Sequence, residues 1–246
     1  MVEDYKIQTE AVVGNHVTKS NIPPRRVWDL YTNRVLPYHA MGFALDSAPR
    51  LPTNLWAVSH SWRPASERQH VLTTINGKAW HVPIPKGTTL NTIRDELLIL
   101  GAEYVFLDVL CLRQKDELLP EMEGIRKREW RVDIPTIGHV YNGRKHYDLS
   151  SQTPIVIFFN GLGLPFRDDP VDPHDDFHWF NRVWTLQETP QVTVFGGLQH
   201  KQGSMYPSAD MQVDGISGAT LKRLHETRSI GGNLLAIFKT ILSRTC

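Results

Sequence analysis

Tyr104-Val105-Phe106-Leu107-Asp108-Val109-Leu110 decides the fold class of this 246-residue chain. The run is β-prone and apolar at nearly every position, as expected of a strand covered on both faces in a parallel sheet. Working outward, the segment before it reads as a complete amphipathic helix. Thr89 caps it, Leu90, Ile93, Leu97 and Leu100 fall at i, i+3, i+7 and i+10, and Gly101 is a good residue to end it. Further upstream, Leu55-Trp56-Ala57-Val58-Ser59 suits a second buried strand. The polar stretch that follows it reads as loop or hairpin, with Asn76-Gly77 as the turn.

Downstream, helical character from about Glu121 to Val132 is expected to be interrupted at Pro135, with a short segment running on to Tyr141. Ile155-Val156-Ile157-Phe158-Phe159 is a third buried strand, closed by Asn160-Gly161. After an acidic loop, Asp175 or Asp176 caps an expected helix to about Glu188, with Phe177, Phe180 and Trp184 on one face and Pro190 past its end. Val192-Thr193-Val194-Phe195 is a fourth strand. Two helices are expected to finish the chain, Leu234, Phe238, Ile241 and Leu242 marking the last. Strands alternating with helices at these spacings predict an α/β fold with a mostly parallel sheet and right-handed crossovers. The expected organisation is an N-terminal extension over 1–54 laid on the core, a central domain over 55–197, and a loop with C-terminal helices over 198–246.

Composition narrows the function. Lys plus Arg number 27 against 26 Asp plus Glu, a formal charge of +1, so no global field gathers nucleic acid or an anionic membrane. With 41% hydrophobic and 22% charged residues the chain buries a sizeable core rather than staying disordered. Two cysteines, Cys111 and Cys246, make no disulfide framework and fit a reducing compartment. The start carries no apolar signal core and no run approaches the ~18 apolar residues of a membrane span, so a cytoplasmic protein is expected.

Ligands of parallel sheets bind beyond the carboxyl ends of the strands. That rule selects Ser59 to Trp62, Asp108 to Gln114, and the loops around Asn160 and Glu188. The chain has no G-x-G-x-x-G after a strand, no phosphate-loop motif, no G-x-S-x-G, no H-E-x-x-H and no C-x-x-C. Dehydrogenase, phosphate-loop, esterase and zinc-finger readings therefore lose their support. His174 and His178 at i, i+4 form half of a metal site if 174 is helical, or else a solvated loop whose acids favour a helix N-terminus. Cys111 is a nucleophile with His60 or His139 as base, or a structural thiol. In the expected helix Glu188 follows Trp184 by one turn and Asn181 by two. In that last turn an ionised carboxylate is unwelcome, which implies a raised proton affinity or a cationic partner such as Arg182.

Three stretches together carry a resemblance: Trp56-Ala57-Val58-Ser59-His60-Ser61-Trp62, Leu107-Asp108-Val109-Leu110-Cys111-Leu112-Arg113-Gln114, and Arg182-Val183-Trp184-Thr185-Leu186-Gln187-Glu188. They resemble the signature blocks of the fungal heterokaryon incompatibility (HET) domain, written L-S-Y-x-W-G, W-I-D-x-L-C-I-x-Q and R-x-W-T-x-Q-E. The third block matches at every specified position. Arg63 stands where a Gly is usual, and Phe106-Leu107 replaces the Trp-Ile pair. HET domains are implicated in allorecognition and programmed cell death in filamentous fungi. Remote similarity to Toll/interleukin-receptor (TIR) domains implies a flavodoxin-like, TIR-like sheet. Many TIR domains cleave NAD+ with a glutamate in a motif resembling W-C-x-x-E, and Trp184-Thr185-Leu186-Gln187-Glu188 has the same spacing.

The resemblance implies NAD+ as substrate, with Glu188 catalytic, no resident cofactor or metal, and a homo-oligomeric active form. Breaking the nicotinamide–ribose bond builds positive charge on the ribose while nicotinamide leaves neutral, so one carboxylate near the ribose suffices. Ser59, His60, Trp62, Asp108, Cys111, Arg113, Gln114, Arg182 and Trp184 are the expected substrate-binding positions. The alternative is a non-enzymatic module in which the same blocks maintain a fold and a self-association surface.

Overall fold

The computed structural model describes residues 11–14, 16–19, 22–41, 55–142, 154–167, 174–182, 193–197 and 218–226. Its centre is a six-stranded sheet. The four expected strands are present as β5 (Leu55–His60), β8 (Tyr104–Leu107), β9 (Ile155–Phe158) and β10 (Thr193–Phe195), all parallel to one another where they pair. Two further strands, β3 (Arg26–Asp29) and β4 (Arg34–Pro37), extend the sheet antiparallel beside β8, giving the spatial order β10-β9-β5-β8-β3-β4. The fold is thus mixed α/β with a mostly parallel sheet. The chain leaves β5 to one side for β8 and crosses to the other side for β9, so the order reverses at β5. In sheets of this kind ligands bind at such a reversal, beyond the carboxyl ends of the adjoining strands.

β9 is buried at all four positions and β8 at three of four, which accounts for their unbroken apolar character. The segment before residue 55 is more than a cover on that core. Val27, Trp28 and Leu30 are fully buried, and Trp28 pairs with Val105 in the ladder. Asp29 turns the hairpin, accepting from the amides of Tyr31 and Thr32 and from the Thr32 hydroxyl. Two short antiparallel pairs stand outside the main sheet: β1 (Val12–Val13) with β2 (His16–Val17), and β6 (Arg68–Val71) with β7 (Val82–Pro85). The Asn76-Gly77 turn lies between β6 and β7, with Gly77 and Lys78 both at positive φ.

Helix α1 (Leu90–Ile99) forms as the spacing predicts. Thr89 and Thr92 complete a capping box, Leu90, Ile93 and Leu97 are buried, and Gly101 follows at φ 94°. The strand expected over 104–110 is shorter: it ends at Leu107, and Asp108–Cys111 makes one helical turn, α2. Val109, Leu110 and Cys111 stay buried in either geometry, so periodicity alone does not separate the two. The Asp108 carboxylate accepts from the Val109 amide at 2.7 Å, bending the chain out of the ladder. Pro135 lies inside α3 (Glu123–Thr136) instead of interrupting it, and α4 (Gly138–Asn142) follows. A proline in the last turn leaves only the Arg131 carbonyl, one turn back, without its amide donor, so the helix runs on to Thr136. One C-terminal helix, α5, covers 218–226; the Leu234–Leu242 stripe lies outside the described residues. Among the described residues no helix is long and apolar enough to cross a membrane.

Candidate functional site at the strand tips

Sheet register brings the first two sequence blocks together. β5 and β8 end their pairing at Val58 with Leu107, while β5 runs on beside β9 to pair His60 with Phe158. The residues just beyond, His60 and Asp108, then meet: His60 Nε2 lies 2.8 Å from Asp108 Oδ1. His60 Nδ1 lies 3.1 Å from the Ser61 carbonyl oxygen. A carbonyl and an ionised carboxylate can only accept, so both ring nitrogens have to donate and the geometry selects the imidazolium.

Burial opposes that charge most strongly, since His60 is 5% exposed. The Asp108 charge, its hydrogen bond and the Ser61 carbonyl outweigh the burial and hold the His60 pKa above its ordinary 6.5, against a smaller opposing push from Arg182. For Asp108, burial again favours the neutral form, but His60, the Val109 amide and Arg182 together hold its carboxyl below 3.8. The third block joins the same point, because Arg182 Nη1 donates to the His60 carbonyl at 2.7 Å. Trp179 is fully buried and donates its indole N–H to Ser59 Oγ at 2.7 Å. Asp108 Oδ2 meets no donor among the described residues, and the side chain is 22% exposed. The arrangement presents one carboxylate oxygen, its partner oxygen immobilised, at the reversal of the sheet. Such an oxygen can accept from a ligand hydroxyl or stabilise a cation.

The other expected residues divide. Trp62 stays at the tips, half-buried, 5.6 Å from the His60 ring. Gln114 is buried and spends its amide N–H groups on the Asp108 and Leu112 carbonyls, shaping the loop after α2. Arg113 serves the interior instead: it donates to the Ala79 carbonyl, faces Glu129 at 3.4 Å and lies over the Trp80 ring, which Arg26 also overlies. Cys111 is fully buried, and burial pushes its thiol up to about 12, which makes it a structural residue and no nucleophile. Arg63, in the place of the usual Gly, pairs with Glu67 and packs on Gly161, whose φ of 119° disfavours a side chain and where a Cβ would come within 3.1 Å of the Arg63 stem.

The helix expected from Asp175 or Asp176 does not begin there. Residues 174–178 form turns, Trp179–Asn181 is one 3-10 turn, and Arg182 is extended at φ −93° and ψ 132°. His178 accepts from the Phe180 amide and stacks on Phe180, so it is not half of an i, i+4 helical pair with His174. No cluster of three metal-ligating side chains occurs among the described residues. Phe180 instead joins Phe159, Phe166, Phe195 and Trp179 in an aromatic cluster under the tips. Trp184 and Glu188 lie outside the described residues.

Two residues with roles here carried no signal in the sequence. Trp179 was hidden among aromatic neighbours read as one helix stripe. Arg68 sits in a polar stretch six residues after Trp62, and its guanidinium lies 5.2 Å over the Trp62 ring. No family model, no curated protein and no solved structure matches the chain.

Proposed function

We infer that the chain is a heterokaryon incompatibility-type effector of fungal allorecognition and programmed cell death, acting by hydrolysis of the nicotinamide–ribose bond of NAD+ on a flavodoxin-like, TIR-like sheet. One observation carries the reading. Residues of the first two blocks and Arg182, which opens the third, are far apart in sequence, yet they close into one hydrogen-bonded chain, Arg182 to the His60 carbonyl and His60 to Asp108, at the reversal of the sheet. The parallel strands in chain order, β5, β8, β9 and β10, take the spatial order 2-1-3-4, as flavodoxin-like sheets do. In this reading Asp108 Oδ2 accepts from a ribose hydroxyl, Trp62 lines the pocket, Arg182 holds the His60 loop, and Glu188 stabilises the ribosyl cation. His60, Ser59 and Gln114 support the site from within the fold.

Incubating the protein at high concentration with NAD+ and following nicotinamide release tests the reading. Release that is lost in Glu188→Gln, which keeps shape and removes charge, is the expected result; turnover equal in the variant rejects Glu188. The alternative, a self-associating module without catalysis, draws on the burial of Ser59, His60, Cys111 and Gln114, all engaged within the fold. It predicts no nicotinamide release and concentration-dependent assembly by light scattering.

A further inference from the structure

Arg25, Arg26, Arg63, Arg94, Arg113, Arg126 and Arg182 are all half-buried and all donate to a protein acceptor. Arg68 is half-buried and its guanidinium meets no acceptor among the described residues; its Nε is sealed from solvent without a partner. A buried donor left open demands an explanation. The guanidinium carbon lies 5.2 Å over the Trp62 ring, and that ring sits 5.6 Å from His60 at a tilt of 35°, so cation, indole and imidazolium follow one another toward Asp108. Nε is sealed while the residue as a whole is only half-buried, and none of the guanidinium donors is spent on the described residues, which leaves a fork able to meet two oxygens of one anion. The local charges agree. His60 is matched by Asp108 and Arg63 by Glu67, while Arg68 has no counter-charge among the described residues. It stands at the start of β6, after the loop that leaves β5, and its contact with Trp62 sets it beside the strand tips.

We propose that Arg68, oriented by Trp62, is a phosphate-binding residue that anchors the diphosphate of a nucleotide ligand at the rim of the strand-tip site. Naming that ligand as NAD+ rests on the reading above; the oxyanion site does not. Trp62 serves as the platform that fixes the plane of the guanidinium, which lowers the entropy lost on binding.

Calorimetric titration with ADP-ribose, inorganic pyrophosphate and adenosine tests the proposal. ADP-ribose is expected to bind the wild type about tenfold or more tighter than adenosine. Arg68→Met keeps an apolar contact on Trp62 and loses the fork; it is expected to weaken ADP-ribose about tenfold and leave adenosine unchanged. Arg34→Met, which removes the same charge from an exposed edge, is expected to leave both unchanged. ADP-ribose binding equal in Arg68→Met and wild type overturns the proposal, and so does a wild type that binds neither ADP-ribose nor pyrophosphate. If the Met variant unfolds, Arg68→Lys decides, since it keeps the charge without the planar fork: weaker ADP-ribose binding supports the site and equal binding overturns it. Arg68-dependent ADP-ribose binding without nicotinamide release keeps this site and removes the hydrolase reading. Nicotinamide release with unchanged KM in Arg68→Met does the reverse.

Discussion

Asp108→Asn isolates the charge in the His60 pair with little change of shape. The amide oxygen can still accept from His60 Nε2 and from the Val109 amide, as Asp108 Oδ1 does at 2.8 and 2.7 Å. What disappears is the charge that keeps the 5% exposed ring doubly protonated. A neutral imidazole has one N–H, so either the ring gives up one of its two contacts or the Asn amide turns its NH2 to Nε2 and gives up the Val109 amide; one hydrogen bond is lost in each case. One hydrogen bond to a charged group contributes about 1.5–3 kcal/mol; the 22% exposure of Asp108 lets water recover part, so about 2 kcal/mol is expected. At roughly 2–4 °C per kcal/mol for a chain of this size, Tm falls by about 4–8 °C. The pH dependence is the sharper readout. The raised His60 pKa contributes stability that is full below about 6.5 and fades as pH rises through the folded value. The lowered Asp108 pKa contributes stability present above about 3.8 and lost as pH falls through its folded value. Melting curves of wild type and Asp108→Asn are therefore expected to differ most between about pH 4 and 6.5 and to converge on the alkaline side. A Tm difference that is constant across pH, or absent at pH 5.5, refutes the imidazolium assignment.

Two further tests probe the frame that holds the site. A Cβ at Gly197, φ 80°, would run into the Leu164 carbonyl and within 2.7 Å of the Phe166 amide, so Gly197→Ala is expected to cost about 3 kcal/mol. Gly77→Ala, with φ 66° and open space, is expected to cost only about 1 kcal/mol; equal losses in denaturant melts would contradict this packing. In a Cys246→Ser background, Cys111 is expected to resist iodoacetamide at pH 8 until the protein unfolds, because its thiol sits at about 12 in the core. Prompt alkylation of the native protein would reopen its nucleophilic role.

How far the site could be read from residues depends on the distance over which each signal acts. Thr89, Leu90, Ile93, Leu97 and Gly101 specify α1 because capping and periodicity act within a turn or two. Ile155–Phe158 announces its burial through composition alone. The strand-end rule found His60 and Asp108 singly. Their contact spans 48 residues and exists only because β5 and β8 are neighbours in register. Local patterning misled where two geometries bury the same side chains, at Val109–Cys111, and where turn chemistry overrides an apolar stripe, at Phe177 and Phe180. Val27-Trp28-Asp29-Leu30 is too short to declare a strand by its pattern, and only the β8 edge supplies its partner.

By itself the sequence determined the α/β alternation, the four parallel strands, the capped helix between the first two, and the three blocks whose ends carry polar residues. These follow from hydrophobic periodicity and capping, which need only near neighbours. The tertiary structure decided that β3 joins the sheet, that Arg113 and Cys111 serve the interior, that His60 is held charged by Asp108, and that Arg68 is left over Trp62 without an acceptor among the described residues. Those outcomes depend on which strands become neighbours and what each buried donor or charge then meets. That is a property of the packed chain and of no single stretch of it.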